Sequence, residues 1–263
     1  MKVVFSKFHG AGNDFVLIDN REQKLKLNTE QIAFLCHRRF GIGADGLMFL
    51  EQSDQYDFEM KYYNADGREG TMCGNGGRCI IAFADLMNIK KNQFLFKAID
   101  GLHNATILSK NNSLWQVKLQ MTDVNNVEKN DTNYFLNTGS PHHVEFVENV
   151  QDIDVFTKGK SIRNNTYYGP KGGTNVNFVS FENDVIHVRT YERGVEDETL
   201  ACGTGVTAVA IATALHLGSY QKEYRLHAQG GDLQVSFDQH ENRYTNIWLT
   251  GPAAHVFSSE IVL

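Results

Sequence analysis

The 263-residue chain has a formal net charge of −6, with 41% hydrophobic and 21% charged residues. This composition is typical of a globular protein with a substantial core, and it argues against nucleic acid as a partner because no basic surface is available to neutralise phosphates. No stretch approaches the roughly 20 apolar residues that cross a bilayer, and the first residues do not form a cleavable signal. We therefore expect a cytoplasmic protein without a membrane contact.

Short segments rich in β-branched and aromatic residues recur along the chain, and they predict strands at 3–5, 15–18, 115–119, 177–181, 185–188 and 233–237. Apolar or small residues at helical spacing predict helices at 29–39, 75–87 and 204–217. Three helices among many strands indicate an α+β fold rather than a doubly wound sheet. The polar run 122–133 is predicted to be a loop at the boundary between two halves, and the acidic run 196–198 to be solvated surface.

Four cysteines are too few for a disulfide framework, and a reducing compartment would keep them as thiols. Cys36 lies on the apolar side of the first predicted helix and Cys79 lies inside the second, so we interpret both as core residues. Cys73 and Cys202 each lie just before a predicted helix. These two positions are the ones that call for a chemical explanation.

Both of these cysteines belong to an internal repeat. Residues 63–84, YNADGREGTMCGNGGRCIIAFA, match residues 191–212, YERGVEDETLACGTGVTAVAIA. Each segment passes from a Tyr through an acidic, Gly-containing loop to a Thr, a Cys-Gly-x-Gly turn and a helix of small residues. A repeat of this length indicates two related domains, which we place at 1–120, joined by the C-terminal strand 252–263, and at 121–251.

Each Cys-Gly-x-Gly turn combines a thiol with an anion site. Glycines permit a tight turn, and the first amide groups of a helix have no intrahelical acceptor. The partial positive charge of a helix N-terminus attracts a carboxylate and lowers the pKa of a cysteine just before the first turn. If the two domains face each other, two thiols flank one carboxylate-sized pocket. This arrangement suits racemisation at an α-carbon, in which one thiolate removes a proton and the opposite thiol returns one.

Two other interpretations of these cysteines fit the sequence less well. Free cysteine is often a small core residue, but a core role does not explain the repeated glycine pattern. Zinc binding is disfavoured because Cys73 and Cys79 lack the tight Cys-x2-Cys spacing, and no Cys or His pair follows at a finger-like distance. We therefore expect no metal site.

Five segments together resemble the diaminopimelate epimerase family: FHGAGNDF (8–15), RRFGIGADGL (38–47), YNADGREGTMCGNGGRC (63–79), GTNVNF (173–178) and YERGVEDETLACGTG (191–205). The resemblance implies two similar domains, each a barrel-like, mostly antiparallel sheet around a central helix. It implies an isomerase that uses no cofactor, neither pyridoxal phosphate nor metal, and interconverts LL- and meso-2,6-diaminopimelate for lysine and peptidoglycan precursor biosynthesis. A homodimer in the bacterial cytoplasm is the implied assembly.

The same resemblance assigns the site residues. It makes Cys73 and Cys202 the catalytic pair, with His142 and Glu192 assisting thiol ionisation and proton handling. The substrate-binding set consists of Asn13, Asn64, Asn175 and Glu192 at the polar ends, Arg193 at the distal carboxylate, and the backbone donors of Gly74, Asn75, Gly203 and Thr204 at the reacting carboxylate. Bidentate binding by an Arg favours a substrate with two amino acid ends. Asn177 is an alternative to Asn175, and only one of His142 and His143 can face the site from a strand.

The chain departs from the family's pattern at three places. Ser140 precedes Pro141 where many members have Asn, so its shorter side chain must supply that hydrogen bond or the bond is lost. Gly46 replaces a Gln that contacts substrate in some members. One residue more separates Glu192 from Cys202 than separates the corresponding pair in the first half, and we expect a bulge there. These departures affect substrate affinity more than reaction type.

Three alternative functions are compatible with the same residues. One is another isomerase on the same fold, such as a proline or hydroxyproline epimerase, although Arg193 and the three asparagines argue against a small cyclic substrate. The second is a redox protein that uses Cys73 and Cys202 as a reversible disulfide, and the third is a non-catalytic amino acid binding module.

Overall fold

The computed structural model of the protein describes residues 1–218 and 220–263. The chain forms two compact units. The first unit contains Met1–Leu119 and Gly251–Leu263, and the second contains Gln120–Thr250. None of the helices within the described residues is both long enough and apolar enough to cross a membrane.

Sixteen strands and four α-helices make up the described parts of the two units. The strands are β1 Lys2–Gly10, β2 Asn13–Asp19, β3 Gly46–Glu51, β4 Phe58–Asn64, β5 Gln93–Ala98, β6 Gly101–Asn111, β7 Leu114–Gln120, β8 Val127–Lys129, β9 Asn133–Asn137, β10 Pro141–Phe146, β11 Asn175–Glu182, β12 Val185–Glu192, β13 Asp197–Thr199, β14 Tyr224–Ala228, β15 Gly231–His240 and β16 Arg243–Val262. The helices are α1 Thr29–Cys36, α2 Gly74–Leu86, α3 Val155–Arg163 and α4 Gly203–Leu217.

Eight strands close into a barrel in the first unit. The order is β1-β2-β3-β4-β5-β6-β7-β16, and β16 pairs back onto β1. The β2–β3 and β4–β5 pairs are parallel and the others are antiparallel. Helix α2 packs against β1, β2, β3 and β6 and is buried from Gly74 to Ala84. The helix is therefore enclosed by barrel strands along this span.

The second unit repeats this plan around α4. Its strand order is β16-β15-β14-β12-β11-β10-β9-β8, with parallel β10–β11 and β12–β14 pairs. A reciprocal pair of backbone hydrogen bonds between Val124 and Tyr244 joins the segment before β8 to β16. Helix α4 is rich in Ala and Val and packs against strands β9 to β12, β14 and β15. The predicted α+β fold of two similar barrels, each with a central helix, is confirmed.

The predicted strands are confirmed as parts of β1, β2, β7, β11, β12 and β15. The first predicted helix was too long, since α1 ends at Cys36 rather than Arg39. His37 is extended there, and its Nδ1 accepts the backbone N–H groups of Arg39 and Phe40, which turns the chain away from the helical path.

Helix α3 was not predicted from the sequence. It has few apolar residues and a central glycine, both of which weaken a helical pattern. Gly159 is needed because a Cβ atom there would lie 2.4 Å from the Cβ of Tyr191 in the adjacent strand. The helix begins at the Asp154 N-cap, whose carboxylate accepts the Thr157 amide.

Two predicted irregular segments are more ordered than expected. The run 122–133 includes β8, whose three residues pair with β9. The run 196–198 lies at the surface as predicted, with Glu196 and Asp197 exposed, but it also forms ion pairs: Glu196 binds Arg163, and Glu198 binds Arg189 side-on with N–O distances of 2.6 and 2.7 Å. Ion pairs between residues that are far apart in the sequence leave no local signal in it.

Candidate active site

Each central helix begins directly after one of the two cysteines of the repeat. Cys73 is the N-cap of α2, and its Sγ accepts the Gly76 amide at 3.2 Å. Cys202 is the N-cap of α4 and is 6% exposed. Both residues have extended backbone angles, as N-cap residues do. The thiols therefore lie at the positive ends of two buried helices.

Two asparagines accompany Cys73 in the first unit. The Asn13 side chain donates to Asp45 at 2.6 Å, which turns its Oδ1 toward the helix start. Asn75 Nδ2 donates to this Oδ1 at 3.3 Å, and Cys73 Sγ lies 3.9 Å from it. The structure thus brings Asn13, Cys73 and Asn75 together.

The loop that carries Asn13 is held by an ionic cluster. Arg38 binds Asp14 through two nitrogens at 2.8 and 3.0 Å, and Lys7 binds the same carboxylate at 2.7 Å. Burial of Asp14 opposes ionisation, but the hydrogen bonds from Arg38 and Lys7 outweigh it and hold the pKa of that carboxyl well below its usual range. Arg38 also binds Asp45, the partner of Asn13.

Asn64 is the last residue of β4. Its backbone N–H donates to the Arg68 carbonyl. Its side chain packs over Gly70, where an added Cβ would come within 2.9 Å of Asn64 Nδ2. Gly46 pairs with Asn64 across the sheet. A Cβ atom at position 46 would lie 2.5 Å from the Tyr62 ring, so Tyr62 leaves room only for glycine at this position.

A chain of hydrogen bonds leads to Cys202 in the second unit. Asn177 Nδ2 donates to the His143 carbonyl at 2.9 Å, and since a carbonyl only accepts, this bond fixes the amide orientation. The same nitrogen lies 3.2 Å from His142 Nδ1, which must then be the accepting nitrogen. His142 Nε2 consequently carries the proton and donates to Thr204 Oγ1 at 2.9 Å. The Thr204 hydroxyl is left to donate to Cys202 Sγ at 3.5 Å.

His142 is fully buried and neutral in this chain. Burial, together with the nearby positive charge of Arg193, lowers its pKa to about 3. His143 points elsewhere and bonds to the Tyr168 hydroxyl at 2.9 Å. As predicted for neighbouring residues on a strand, only His142 faces the start of α4.

Asn175, Ser140 and Arg193 form a second cluster. Asn175 Nδ2 donates to Ser140 Oγ and to the Pro141 carbonyl, both at 2.9 Å, while its Oδ1 accepts the Arg193 amide at 2.8 Å. Arg193 Nη2 lies 3.4 Å from Ser140 Oγ. The short Ser140 side chain therefore still reaches both Asn175 and Arg193. Asn177, the alternative to Asn175, is committed to His142 instead.

Glu192 ends β12 and accepts a hydrogen bond from Thr199 at 2.8 Å. The bulge predicted here is not found: the β12–β13 pairing keeps its register, and Glu192 pairs with Asp197. The extra residue lies in the turn between these two, which is one residue longer than the turn between Asn64 and Arg68 in the first unit.

Cys36 and Cys79 lie away from solvent. Cys36 is 3% exposed in an apolar cluster beside α1, and burial raises its pKa to about 12. Cys79 has no exposed surface, and burial raises its pKa further. Their predicted core positions are confirmed. Within the described residues, no group of three or more His, Cys, Asp or Glu side chains is placed to hold a metal ion.

Three residues at the site were not identified from the sequence as functional. Arg78 lies fully buried in α2 and bonds to Asn75, Thr190 donates to Asn177 at 3.0 Å, and Asp45 orients Asn13. Arg78 could have been recognised from the sequence, because a charged residue within a helix of small and apolar residues is unusual. The other two depend on strand pairing that the sequence does not display.

Comparison with solved structures defines the class of fold. The chain is similar to a phenazine biosynthesis protein of the PhzF family from Bacillus anthracis, with a TM-score of 0.79 and 14% identity over 100% of both chains. It is also similar to a hydroxyproline epimerase from Agrobacterium vitis, with a TM-score of 0.69 and 13% identity over 100% of this chain and 93% of the other. These proteins share its two-barrel α+β architecture.

Sequence comparison places the chain within that class. The model of the diaminopimelate epimerase family matches residues 5–127 and 134–256, and the chain belongs to this family. A diaminopimelate epimerase from Flavobacterium psychrophilum is 52% identical over 97% of this chain and 98% of its own length. One from Chlorobaculum tepidum is 42% identical over 97% and 99%. The predicted family and the prediction of an isomerase are confirmed.

Proposed function

We propose that the protein interconverts LL- and meso-2,6-diaminopimelate, using Cys73 and Cys202 as its two acid–base groups. The observation that carries this proposal is the repeated placement of a cysteine at the N-cap of a buried helix, once in each unit. Family membership supplies the substrate, and the thiol geometry supplies the reaction type.

The reaction needs one thiolate and one thiol. The thiolate takes the α-proton, and the electron pair of the C–H bond spreads into the adjoining carboxylate as a planar carbanion. The other thiol donates its proton to the opposite face of the carbon, which forms the new C–H bond and leaves the second sulfur as a thiolate. Reaction in the reverse direction restores the first protonation state.

The helix starts can stabilise the carbanion. The backbone donors of Gly74 and Asn75 and those of Gly203 and Thr204 lie in the first turns, whose amides have no intrahelical acceptor. Negative charge grows on the carboxylate as the proton leaves, so these donors bind the transition state more strongly than the substrate. Each well-placed donor is worth roughly 3 kcal/mol.

Side chains of the second unit support ionisation of Cys202. The Thr204 hydroxyl, oriented by His142, points a donor at the sulfur, and a donor favours the charged form. His142 therefore acts as a neutral hydrogen-bond donor. In this proposal Glu192 contributes to proton handling and to binding of the substrate's polar end.

The remaining polar groups would hold the ends of the substrate. Arg193 is exposed, and its guanidinium suits the distal carboxylate. Asn13 and Asn64 present amide groups in the first unit, and Asn175 presents one in the second. Because Asn175 already binds Ser140 and the Arg193 backbone, its contribution is to position Arg193 as well as to bind substrate.

We further propose a homodimeric enzyme of the cytoplasm that serves lysine and peptidoglycan precursor biosynthesis, with domains at 1–120 plus 252–263 and at 121–251. The division of the chain into two compact units supports these boundaries. Apolar side chains exposed on the paired strands β1 and β16, among them Val4, Val256 and Val262, offer a surface for a second copy. Light scattering of the purified protein measures the assembly directly.

Exchange of the α-proton in deuterated water tests the reaction. The purified, reduced protein should incorporate deuterium into LL-diaminopimelate and form the meso isomer without added pyridoxal phosphate or metal. Cys73→Ala and Cys202→Ala should each abolish epimerisation, whereas Cys36→Ala, a matched change at a core thiol, should leave it intact. Activity retained in Cys73→Ala would refute the two-thiol mechanism. Turnover of proline without diaminopimelate, or dithiol oxidation without stereochemical change, would refute the proposed function.

A further inference from the structure

Helix α2 contains a fully buried arginine one turn below Cys73. Arg78 Nη1 donates to the Gly74 carbonyl at 3.1 Å, Nη2 to Asn75 Oδ1 at 2.9 Å, and Nε to the Pro252 carbonyl at 3.3 Å. All three acceptors are neutral. The guanidinium therefore lies inside the barrel with its hydrogen bonds satisfied but its charge uncompensated by them.

No carboxylate of the described residues lies within ion-pair distance of Arg78. Burial lowers its pKa to about 10, while the neighbouring sulfurs of Cys79 and Cys73 act in the opposite direction. The side chain thus stays charged at neutral pH. A buried, unpaired cation is unfavourable unless an anion forms close to it.

The cysteine that can provide this anion is Cys73. Cys79 has no exposed surface and its pKa is raised by burial, so it stays a thiol. Cys73 is partly exposed at the helix start. Electrostatic linkage is reciprocal, so a Cys73 thiolate that stabilises charged Arg78 is itself stabilised by it.

Arg78 also reaches the site through Asn75. Its hydrogen bond to Asn75 Oδ1 fixes that amide, whose Nδ2 then donates to Asn13. The guanidinium thus orients two of the residues that surround the Cys73 sulfur, in addition to supplying charge.

The second unit has no charge at the equivalent place. Thr207 is the fifth residue after Cys202, as Arg78 is after Cys73. Thr207 is also fully buried, and its hydroxyl donates to the Gly203 carbonyl at 2.9 Å, which is the counterpart of the Arg78 bond to Gly74. In the second unit a neutral residue, Thr207, therefore makes the hydrogen bond to the helix start that Arg78 makes in the first unit.

We propose that Arg78 is the positioning residue that favours the ionised form of Cys73 by its buried charge, whereas Cys202 is served by the neutral Asn177–His142–Thr204 chain. This inference rests on the proposed function for its meaning in catalysis. The two halves of the repeat would then activate their thiols by different physical means.

Alkylation by iodoacetamide, followed by mass spectrometry of each cysteine peptide across a pH series, tests the proposal, because the thiolate is the reacting form. In Arg78→Met the rate at Cys73 at pH 7 should fall about tenfold and the midpoint of its pH profile should move to higher pH. Arg78→Lys, which keeps the charge, should stay close to the wild type. Cys202 is the internal control, and its profile should be the same in all variants.

A second neutral variant keeps the test decisive if Arg78→Met does not fold. If Arg78→Met unfolds, Cys36 and Cys79 will also be alkylated, and Arg78→Gln, which keeps a donor toward Gly74, replaces it in the comparison. A Cys73 profile that is the same in the Lys variant and in the folded neutral variant would overturn the proposal and leave Arg78 a structural residue. The assay needs no substrate, so failure of diaminopimelate epimerisation and failure of this inference are observed separately.

Discussion

Thr204 Oγ1 lies 2.9 Å from His142 Nε2 and 3.5 Å from Cys202 Sγ, so one hydroxyl links the buried imidazole to the thiol. Because it accepts from His142, its own proton is directed at the sulfur. Thr204→Val should lower kcat/KM for diaminopimelate roughly 10- to 100-fold, the equivalent of losing a hydrogen bond to a charged group. The assay is deuterium exchange at the α-carbon.

Thr204→Ser is the matched control, because it keeps the hydroxyl and the backbone amide. It should retain activity within about threefold of the wild type. If Thr204→Val matches Thr204→Ser, the hydroxyl does not support the thiolate.

The neutral state of His142 predicts a pH dependence of stability. Its pKa is about 3 in the folded protein, below the 6.5 of an exposed histidine. The unfolded chain therefore binds a proton below pH 6.5 that the folded chain does not, and the free energy of unfolding falls as the pH decreases from about 6.5 toward 3. This residue should contribute a slope of about 1.4 kcal/mol per pH unit in that window.

Urea unfolding at pH 4 to 7 measures the slope, with His142→Gln as the reference that cannot titrate. The difference between the two slopes isolates His142, because the other groups are shared. Parallel slopes would mean that His142 is protonated in the folded protein.

The fold was predictable wherever a segment carries its own periodicity. Strand β12 alternates buried with partly buried residues, β11 is a buried run that contains Val and Phe, and α4 is a run of small apolar residues. Helix α3 lacks this signal, because the side it buries is determined by close contact between Gly159 and Tyr191, which lies on a strand far away in the sequence. Packing of this kind overrides local propensity.

The site was predictable to the extent that it repeats. Cys73 and Cys202 stand out because two segments share one pattern, and the resemblance to a family added the residues around them. The direction of the hydrogen bonds was not accessible, since the tautomer of His142 depends on Asn177, a residue that the parallel β10–β11 pairing places beside it. The buried charge of Arg78 likewise has meaning only once its acceptors are known.

Gly205→Ala should disturb the hydrogen-bond chain from the helix side. A Cβ atom there would lie 2.5 Å from Asn177 Oδ1, closer than any real contact. The buried amide must move, and we expect a loss of about 1–3 kcal/mol in the free energy of unfolding, together with reduced epimerisation as His142 loses its orientation. In an Asn177→Ala background the same change should be much less harmful, because the clashing atom is gone. Additive effects in this double-mutant cycle would show that the clash is relieved elsewhere.

Arg193 should determine the preference for a substrate with a second carboxylate. Its guanidinium is exposed beside Ser140, and Asn175 accepts its backbone N–H at 2.8 Å. The exposed side chain can therefore bind an anion while its backbone is held in place. Arg193→Ala should lower kcat/KM for diaminopimelate roughly 10- to 100-fold through a higher KM, because a charge-assisted hydrogen bond contributes about 1.5–3 kcal/mol. Arg193→Lys should fall between the two, since it keeps the charge but not the bidentate geometry.

Arg225→Ala removes an exposed arginine from β14 and serves as the matched control, with kinetic constants expected to equal those of the wild type. Steady-state kinetics with diaminopimelate measure both variants under the same ionic strength, because a general charge effect would be screened by salt and would affect both. An unchanged KM in Arg193→Ala would remove Arg193 from the substrate site, since the lost contact is one that the bound substrate makes before the proton is transferred.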